Sequence, residues 1–458
     1  MKKNWIRIYN DRRDRYGITI LSSKRALRIY TRERENPVVS LIEKGLLDEL
    51  SQLKFMQSLT HKKNSNLPFS ILAQKRIYPI IMPSEWCSLM HVEAAELVLR
   101  AEFFLAGHGF TLDDVHPWNI LFDGASPYLV DIGAINFRGT DLHWGKEMSG
   151  FWPAYSSFKA LSINPIFLFA AGRSLFARKM LQDYFSFSNL ETFFLLIRKP
   201  WFCLLFLLNY CIASLLNGIS SIATIFEKWC LSSNTYLMSR FTSRIGKFYF
   251  KIELCFLGNI RKSIIKKNKI NKEISTEMNL ALREIYHFLI QKQFSTIVCY
   301  ASSCKVFESI RNNTDSWITF ISPSEDVANY IYSRKYKNTS VLVLDLRSPT
   351  PGVGPLNSWL PAALERISSD VGIFILDMNE LIFEKCMTVK EVFKTIEKLF
   401  KENAIVCLSN LMEQPRLMAR NYGQLEKDNI RLTLEEVFVV IELVEVTPNV
   451  TTCLILKK

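Results

Sequence analysis

Three polar residues between positions 114 and 131 have the types and the spacing that phosphoryl transfer requires. In "DDVHPWNILFDGASPYLVDIGAI", Asp114 and Asn119 are five residues apart, and Asp131 follows the next apolar run. Phosphoryl transfer uses one carboxylate to orient the accepting hydroxyl, an amide oxygen to bind a metal ion, and a second carboxylate to hold that metal against the phosphates. The pattern predicts catalytic roles for all three residues, with Asn119 and Asp131 as magnesium ligands if ATP is bound.

A β-hairpin that follows a helix must position these residues. The runs "NILF" and "PYLVDIG" are separated by the turn "DGASP", and the amphipathic stretch "HVEAAELVLRAEFFLAGHG" precedes them. The motif resembles the catalytic and metal-binding strands of protein-kinase-like and aminoglycoside-phosphotransferase-like folds. Two hypotheses remain open. One is a small-molecule or sugar phosphotransferase that uses ATP and magnesium, and the other is a kinase-like scaffold in which Asp114 and Asn119 hydrogen-bond the loop.

The phosphate-binding part of such a fold is less complete in this chain. The earlier hairpin "YGITILSSKRALRIYT" has one glycine, where a phosphate-covering loop uses several. Lys24 and Arg28 are its candidate basic residues, and neither lies in the sequence context of a kinase phosphate-binding lysine.

Strands alternate with helices from residue 276 onward, and an antiparallel strand pair comes last. This order is typical of an α/β doubly wound sheet with a hairpin at its edge. Such sheets bind ligands at the carboxyl ends of their strands. We therefore expect cofactor contacts from "CYASSCK", "ISPSED" and "LDLRSPTPGVG", through Tyr300, Ser302, Ser322 and Asp345. A helix cap or a solvated loop residue is the structural alternative for each strand-end carboxylate.

Five stretches resemble a bacterial family of class I S-adenosylmethionine-dependent methyltransferases related to nodulation proteins. They are "YPIIMPSEWCSLM", "GFTLDDVHPWNILFDGASPYLVDIGAI", "VLVLDLRSPTPGVG", "SDVGIFILDMNELI" and "TVKEVFKTIEKLF". The resemblance implies a Rossmann-like domain with a seven-stranded sheet and S-adenosylmethionine as the cofactor. By position it makes Asp345 and Leu346 neighbours of the adenine, and it makes Asp377 a catalytic residue at the substrate mouth. It also implies a glycan or lipid precursor as the methyl acceptor.

The cofactor loop departs from that family. The family has an acidic, glycine-rich loop after the first strand, where this chain has "VCYASSCK", and Ser322 stands where the family has a ribose-binding acid. Side chains at 301–304 crowd the methionine end of the cofactor, and the ribose hydroxyls lose a bidentate partner. We therefore expect weakened or lost cofactor binding. A non-catalytic pseudoenzyme scaffold, which binds a partner enzyme through its middle region, is a further alternative.

Length and composition indicate a folded protein of more than one domain. The chain has 458 residues, of which 48% are hydrophobic and 22% charged; this is too long for one ordinary core and unlike a disordered segment. We predict a kinase-like α+β module at 1–140, a helical connecting region at 141–275 and a Rossmann-like domain at 276–458. Ten scattered cysteines, and basic N-terminal residues without an apolar run behind them, predict a cytoplasmic protein without structural zinc or disulfides.

The middle region is both basic and apolar. Between Arg244 and Lys272 there are nine Lys or Arg residues and one acidic residue, Glu253, so this stretch carries much of the net charge of +13. We interpret it as a solvated connector between domains. Peripheral contact of 201–275 with an anionic membrane is the alternative, while a specific nucleic-acid partner is not expected because no RNA-binding motif accompanies the charge.

One segment of the middle region has the length of a membrane span. Trp201–Phe226 contains no charged residue, and about 20 apolar residues suffice to cross a bilayer as a helix. Asn209, Asn217 and Gly218 interrupt the segment. We therefore expect it to fold as packed helices between globular modules rather than as a span.

Overall fold

The computed structural model groups the chain into two compact units. The described residues are 7–9, 17–22, 24–31, 37–62, 69–138, 152–182, 188–229, 235–267, 276–291, 294–352, 361–378, 380–385, 387–409, 427–447 and 450–457. The first unit comprises Met1–Tyr78, Met82–Ser84 and Ser88–Ile264, and the second comprises Pro79–Ile81, Glu85–Cys87 and Ile265–Lys458. The division of the sequence into three regions stays a prediction.

A five-stranded antiparallel sheet begins the first unit. Its strands are β1 (Arg7–Tyr9), β2 (Gly17–Leu21), β3 (Arg25–Thr31), β4 (Thr60–Lys62) and β5 (Phe69–Lys75), in the order β1-β2-β3-β5-β4. The predicted hairpin around Lys24 forms β2 and β3. Two short helices, α1 (Pro37–Glu43) and α2 (Leu46–Gln52), come between β3 and β4 in the chain.

The Asp114 motif follows a long helix, α3 (Ser88–Gly107). Four short strands come next, namely β6 (Phe110–Leu112), β7 (Ile120–Asp123), β8 (Ser126–Leu129) and β9 (Ile135–Phe137). They form two antiparallel pairs, β6 with β9 and β7 with β8. Gly109, between α3 and β6, has a φ of 81°, a left-handed conformation that favours glycine. The predicted helix and the predicted hairpin that follows it are both present.

Helices make up the remaining described part of the first unit. They are α4 (Tyr155–Phe158), α5 (Asn164–Ala170), α6 (Ser174–Gln182), α7 (Asn189–Leu196), α8 (Pro200–Trp229) and α9 (Thr235–Lys267), with a π-helical turn at Lys159–Ile163. Trp201–Phe226 lies within α8, which packs against α5 and α7. Within the described ranges, no helix combines the length and the apolar character that crossing a bilayer requires.

A seven-stranded sheet organises the second unit. Its strands are β10 (Thr296–Tyr300), β11 (Trp317–Ser322), β12 (Thr339–Val343), β13 (Ser369–Asp377), β14 (Phe400–Ser409), β15 (Phe438–Thr447) and β16 (Val450–Lys457). They are arranged in the order β12-β11-β10-β13-β14-β16-β15. The first five are parallel, and β16 is antiparallel to both neighbours. The expected parallel sheet with an antiparallel edge hairpin is confirmed.

Helices alternate with these strands along the chain. They are α10 (Thr276–Gln291), α11 (Cys304–Asn312), α12 (Glu325–Ser333), α13 (Ala363–Arg366), α14 (Val389–Glu397) and α15 (Lys427–Val437). The central strand β13 is buried from Val371 through Leu376. Strands that are covered on both faces have near-continuous apolar sequences, which is why "VGIFIL" does not alternate.

Candidate functional site

The strand order of the second unit creates a switch point between β10 and β13. From β10 the chain proceeds to β11 and β12 on one side, and then returns to place β13 on the other side of β10. Ligands of open α/β sheets bind in the crevice at such a reversal, outside the carboxyl ends of the strands. The ends of β10 and β13 are Tyr300 and Asp377. Two predicted site residues thus lie at the strand ends beside the switch point.

The loop after β10 is short and contains no glycine, so a ligand cannot approach its backbone closely. Ala301 is fully buried, and its N–H donates to the Ile321 carbonyl at 3.1 Å, which extends the pairing with β11. Ser303 then precedes α11 in an extended conformation, with φ −115°, and its side chain makes no capping hydrogen bond. Each of these residues carries a Cβ atom where a glycine loop would let a ligand approach the backbone.

Asp345 lies in a cluster of charged side chains that includes a lysine. Its Oδ1 accepts a hydrogen bond from the Arg347 backbone N–H at 2.9 Å, and the same oxygen is 3.7 Å from Lys385 Nζ. Lys385 Nζ is also 2.9 Å from Glu380 Oε1. The Lys385 side chain is 15% exposed, so its charge is partly removed from water and held between the two carboxylates.

Sequence reasoning did not identify Lys385. The available signal was a lysine beside Glu384 in "LIFEKC", directly after three apolar residues and shortly after the end of β13. A cation next to an apolar run usually has a carboxylate partner when it is buried, because an unpaired buried charge is costly.

Tyr300 lies within electrostatic range of the same cluster. Burial raises the pKa of its phenol well above the usual range, and the neighbouring Glu380 and Asp345 carboxylates raise it further. The phenol therefore stays neutral at physiological pH and keeps its proton as a hydrogen-bond donor. The structure thus brings together Tyr300 and Asp345, which the sequence predicted, with Glu380 and Lys385.

The other predicted residues of the second unit do not belong to this charge cluster, and two of them accept hydrogen bonds from nearby backbone N–H groups. Ser322 is fully buried, and its Oγ accepts the Ser324 backbone N–H at 3.2 Å, just before α12. Leu346 is buried, whereas Ser302 is exposed. Asp377 Oδ1 accepts the Glu380 backbone N–H at 3.2 Å. Asp377 therefore borders the cluster through the backbone of Glu380.

In the first unit, the Asp114 loop is held by its own residues. Asn119 Nδ2 donates to the Asp114 backbone carbonyl at 3.0 Å, and His116 Nε2 lies 3.3 Å from Asp114 Oδ2. The Asn119 carbonyl in turn accepts the Val130 N–H at 2.9 Å, which ties the loop to the residues before Asp131. Asp114 and Asn119 are thus close together, as both hypotheses for the motif require.

Asp131 has a basic partner from the distant hairpin. Arg28 Nη1 on β3 lies 2.7 Å from Asp131 Oδ1, although 103 residues separate them. The same oxygen accepts the Gly133 N–H at 3.1 Å. Arg28 also donates to the Tyr30 hydroxyl at 3.2 Å. A metal ion at Asp131 would have to compete with this guanidinium for the carboxylate.

Lys24 lines a separate cavity of about 530 Å³ in the first unit. Lys54, Lys75 and Asp123 also line it, and Asp123 Oδ2 is bound there by Lys75 at 3.1 Å and by Gln57 at 3.2 Å. Asp114, Asn119, Asp131 and Arg28 are absent from its described lining. Among the described side chains of both units, no three His, Cys, Asp or Glu residues are grouped so as to hold a metal ion.

Comparison with known proteins finds similarity only among solved structures. No family model and no curated protein matches the chain. An S-adenosylmethionine-dependent methyltransferase from Aquifex aeolicus is 13% identical, with a TM-score of 0.31, over 42% of this chain and 98% of its own. The N-methyltransferase NodS from Bradyrhizobium japonicum, in complex with S-adenosylhomocysteine, is 8% identical, with a TM-score of 0.30, over 43% of this chain and 97% of its own.

A third similar structure is also named as a methyltransferase. A TehB-like methyltransferase from Corynebacterium glutamicum is 8% identical, with a TM-score of 0.27, over 41% of this chain and 89% of its own. At these identities and TM-scores the likeness assigns no activity or ligand to this chain. The architecture of the second unit therefore rests on its own strand order and strand directions.

Proposed function

We propose that the chain is a class I methyltransferase-like protein whose second unit binds S-adenosylmethionine or S-adenosylhomocysteine with low affinity. The observation that carries this proposal is the convergence of Tyr300, Asp345, Glu380 and Lys385 beside the switch point of the sheet. A buried phenol and a partly exposed carboxylate at that place are a donor and an acceptor that a nucleoside can use.

Three residues of the second unit have assigned roles in this proposal. Asp345 accepts the adenine amino group, while the backbone of the adjacent Leu346 bonds the ring. When bound, S-adenosylmethionine supplies a methyl group on a positively charged sulfur, which keeps the electron pair of the broken bond. The acceptor oxygen or nitrogen forms the new bond to carbon, and Asp377 takes the proton that this atom loses. The proposed acceptor is a glycan or lipid precursor in the cytoplasm.

Three features of the second unit support low affinity. The Cβ atoms of Ala301 and Ser303 stand where backbone would otherwise contact the ligand. Ser322 offers one hydroxyl in place of a carboxylate, and that hydroxyl already accepts the Ser324 N–H. Lys385 competes with the adenine amino group for Asp345 Oδ1.

Calorimetry with S-adenosylhomocysteine tests this site in the full chain. We expect weak binding by the wild type, a loss of at least about tenfold in Asp345→Ala, and tighter binding when Ala301→Gly and Ser303→Gly are combined, because each change alters contacts worth 1 to 2 kcal/mol. Asp370→Ala is the control, since Asp370 pairs with Lys401 at 3.4 Å near the amino end of β13, the opposite end of that strand from Asp377. The control should bind like the wild type.

The calorimetric experiment also has a clear negative outcome. If neither the wild type nor the glycine variant binds S-adenosylmethionine or S-adenosylhomocysteine, the second unit is a methyltransferase in fold only. The protein is then a non-catalytic scaffold. If the wild type does bind, equal losses of affinity in Asp345→Ala and Asp370→Ala would indicate an effect on folding rather than on a ligand site.

The first unit, on the same proposal, is a kinase-like module kept as a scaffold. The Arg28 guanidinium occupies the carboxylate that a magnesium ion would need, and Asn119 is engaged by the Asp114 carbonyl. Both interactions hold the chain together locally without a nucleotide.

We expect Asp131→Asn to lower the free energy of unfolding by about 1–2 kcal/mol, because it removes the negative charge opposite a partly buried guanidinium. Urea unfolding measures this loss. Asp123→Asn is the control, since its partner Lys75 is largely exposed and such pairs contribute little. Magnesium and ATP should leave the melting temperature of the wild type unchanged. A nucleotide-dependent rise that Asp131→Asn abolishes would show that the module binds nucleotide.

A further inference from the structure

Helix α8 carries two apolar stripes on different faces. One stripe is buried and consists of Phe202, Phe206, Ala213 and Leu216, together with the polar Asn209. The other is exposed and consists of Trp201, Leu204, Leu208 and Leu215. At about 100° per residue, the four exposed positions fall within roughly 60° of one another around the helix axis. A helix that is apolar on both faces normally has a partner on each face.

The exposed stripe continues into the preceding helix. Leu190 and Phe194 on α7, and Ile197 in the turn between α7 and α8, repeat the spacing of three and four residues that leads to Trp201. Each of the seven residues named is between 50% and 65% exposed. We call Leu190–Leu215 on this face the α7–α8 stripe. Contiguous apolar surface of this kind is typical of an interaction site.

Most of the positive charge near this stripe lies on the next helix, α9. Residues 189–229 include three Lys or Arg and two Glu, whereas α9 (Thr235–Lys267) includes eight Lys or Arg and one Glu, within a net charge of +13 for the chain. Arg198 and Lys199 are exposed between Ile197 and Trp201, within the stripe itself. Glu253, one of the three acidic residues, is buried and accepts a hydrogen bond from Asn209 at 2.9 Å. The exposed Arg198 and Lys199 within the stripe therefore favour an anionic partner.

We propose that the α7–α8 stripe docks on an anionic lipid surface, with both helices lying in the interface rather than crossing the bilayer. An exposed tryptophan beside Arg and Lys is typical of helices that insert one face at the headgroup level. The apolar side chains enter the acyl boundary, and the basic side chains remain with the lipid phosphates. This inference concerns the first unit and does not depend on cofactor binding by the second.

A lipid surface explains the charge pattern better than a second copy of the chain. Pairing of two stripes would bring Arg198 and Lys199 of one copy close to those of the other, whereas anionic lipid would neutralise them. A paired helix seam also uses charged residues beside its apolar positions to set register. Trp201–Phe226 has no charged residue on any face.

Co-sedimentation of the full chain with vesicles tests the proposal. We expect binding to vesicles of phosphatidylcholine mixed with phosphatidylglycerol, little binding to phosphatidylcholine alone, and weaker binding as salt is raised. Combining Trp201→Ser, Leu204→Ser and Leu208→Ser should weaken binding by at least about tenfold, since three apolar side chains no longer enter the lipid. Arg198→Gln with Lys199→Gln should reduce binding and its dependence on salt.

Matched controls separate lipid contact from general effects on folding. Leu53→Ser and Leu432→Ser replace leucines that are similarly exposed, at 49% and 60%, but lie outside the stripe; their binding should equal that of the wild type. If the triple variant fails to fold, the Arg198 and Lys199 variant still tests the proposal. Equal binding by all variants, or equal binding to neutral and anionic vesicles, would overturn it. So would a dimer that the triple variant abolishes in a protein that binds no vesicles.

Discussion

Arg366→Met should lower the free energy of unfolding of the second unit by about 3–5 kcal/mol, because it leaves a buried carboxylate without its cation. The Glu85 side chain is fully buried, and its Oε1 lies 2.5 Å from Arg366 Nη2. Arg366 Nη1 is 3.3 Å from Glu85 Oε2 and also bonds the Ile80 carbonyl, while Nε donates to the Pro361 carbonyl at 2.8 Å. Methionine has a similar length but can make none of these bonds.

Urea unfolding of three variants isolates the cause. Lys390→Met removes an ion pair with Glu436 in which both side chains are more than half exposed, so it should cost at most about 1 kcal/mol. Combining Arg366→Met with Glu85→Leu should recover much of the loss, since the uncompensated charge is then gone. If Arg366→Met costs no more than Lys390→Met, the buried pair does not stabilise this unit.

Lys159→Met should raise the free energy of unfolding by about 2–3 kcal/mol at pH 7, because it removes a buried amine that lacks a hydrogen-bond acceptor. Lys159 is 4% exposed, and its Nζ has no such partner within the described part of the chain. The ammonium instead faces the rings of Tyr155 and Tyr210, at 5.9 and 5.2 Å from their centroids. Burial lowers the pKa of Lys159 to about 8, against an opposing effect of the Glu253 carboxylate.

The gain in the free energy of unfolding from Lys159→Met should decrease as the pH rises. Lys159 has a folded-state pKa of about 8 and a usual value of 10.5, so the unfolded chain binds more protons between these two pH values. Wild-type stability therefore rises through that window. The advantage of the variant should be complete below pH 8 and should disappear as the pH approaches 10.5.

Removing Lys159 does not leave Glu253 without compensation. Burial raises the pKa of Glu253, so this carboxyl can become neutral, and it keeps hydrogen bonds from Tyr249 at 2.5 Å and Asn209 at 2.9 Å. Lys251→Met, at an exposed position of α9, is the control and should show no such pH dependence. A loss of stability in Lys159→Met at pH 7 would mean that the ammonium stabilises Glu253 more than its own burial costs.

Local sequence patterns determined most of the elements and several of their ends. Short apolar runs that alternate along the chain with amphipathic stretches predicted the parallel strands of the second unit. Two consecutive apolar runs at the end of the chain predicted the antiparallel pair. The same reasoning placed Tyr300, Asp345 and Asp377 at or just beyond strand ends, because a strand ends where its apolar run stops. The hydrogen bond between Asn119 and the Asp114 carbonyl was also predictable, since the two residues are only five positions apart in the sequence.

Only the tertiary structure decided which distant residues meet. Arg28 and Asp131 are 103 residues apart, and Glu85 and Arg366 are 281 apart; sequence periodicity contains no information on such pairs, because their distance depends on how whole elements pack. Lys385 became a partner of Asp345 for the same reason. In α8, hydropathy could not separate the buried stripe of Phe202 from the exposed stripe of Trp201, since both are apolar and only packing against neighbouring helices distinguishes them.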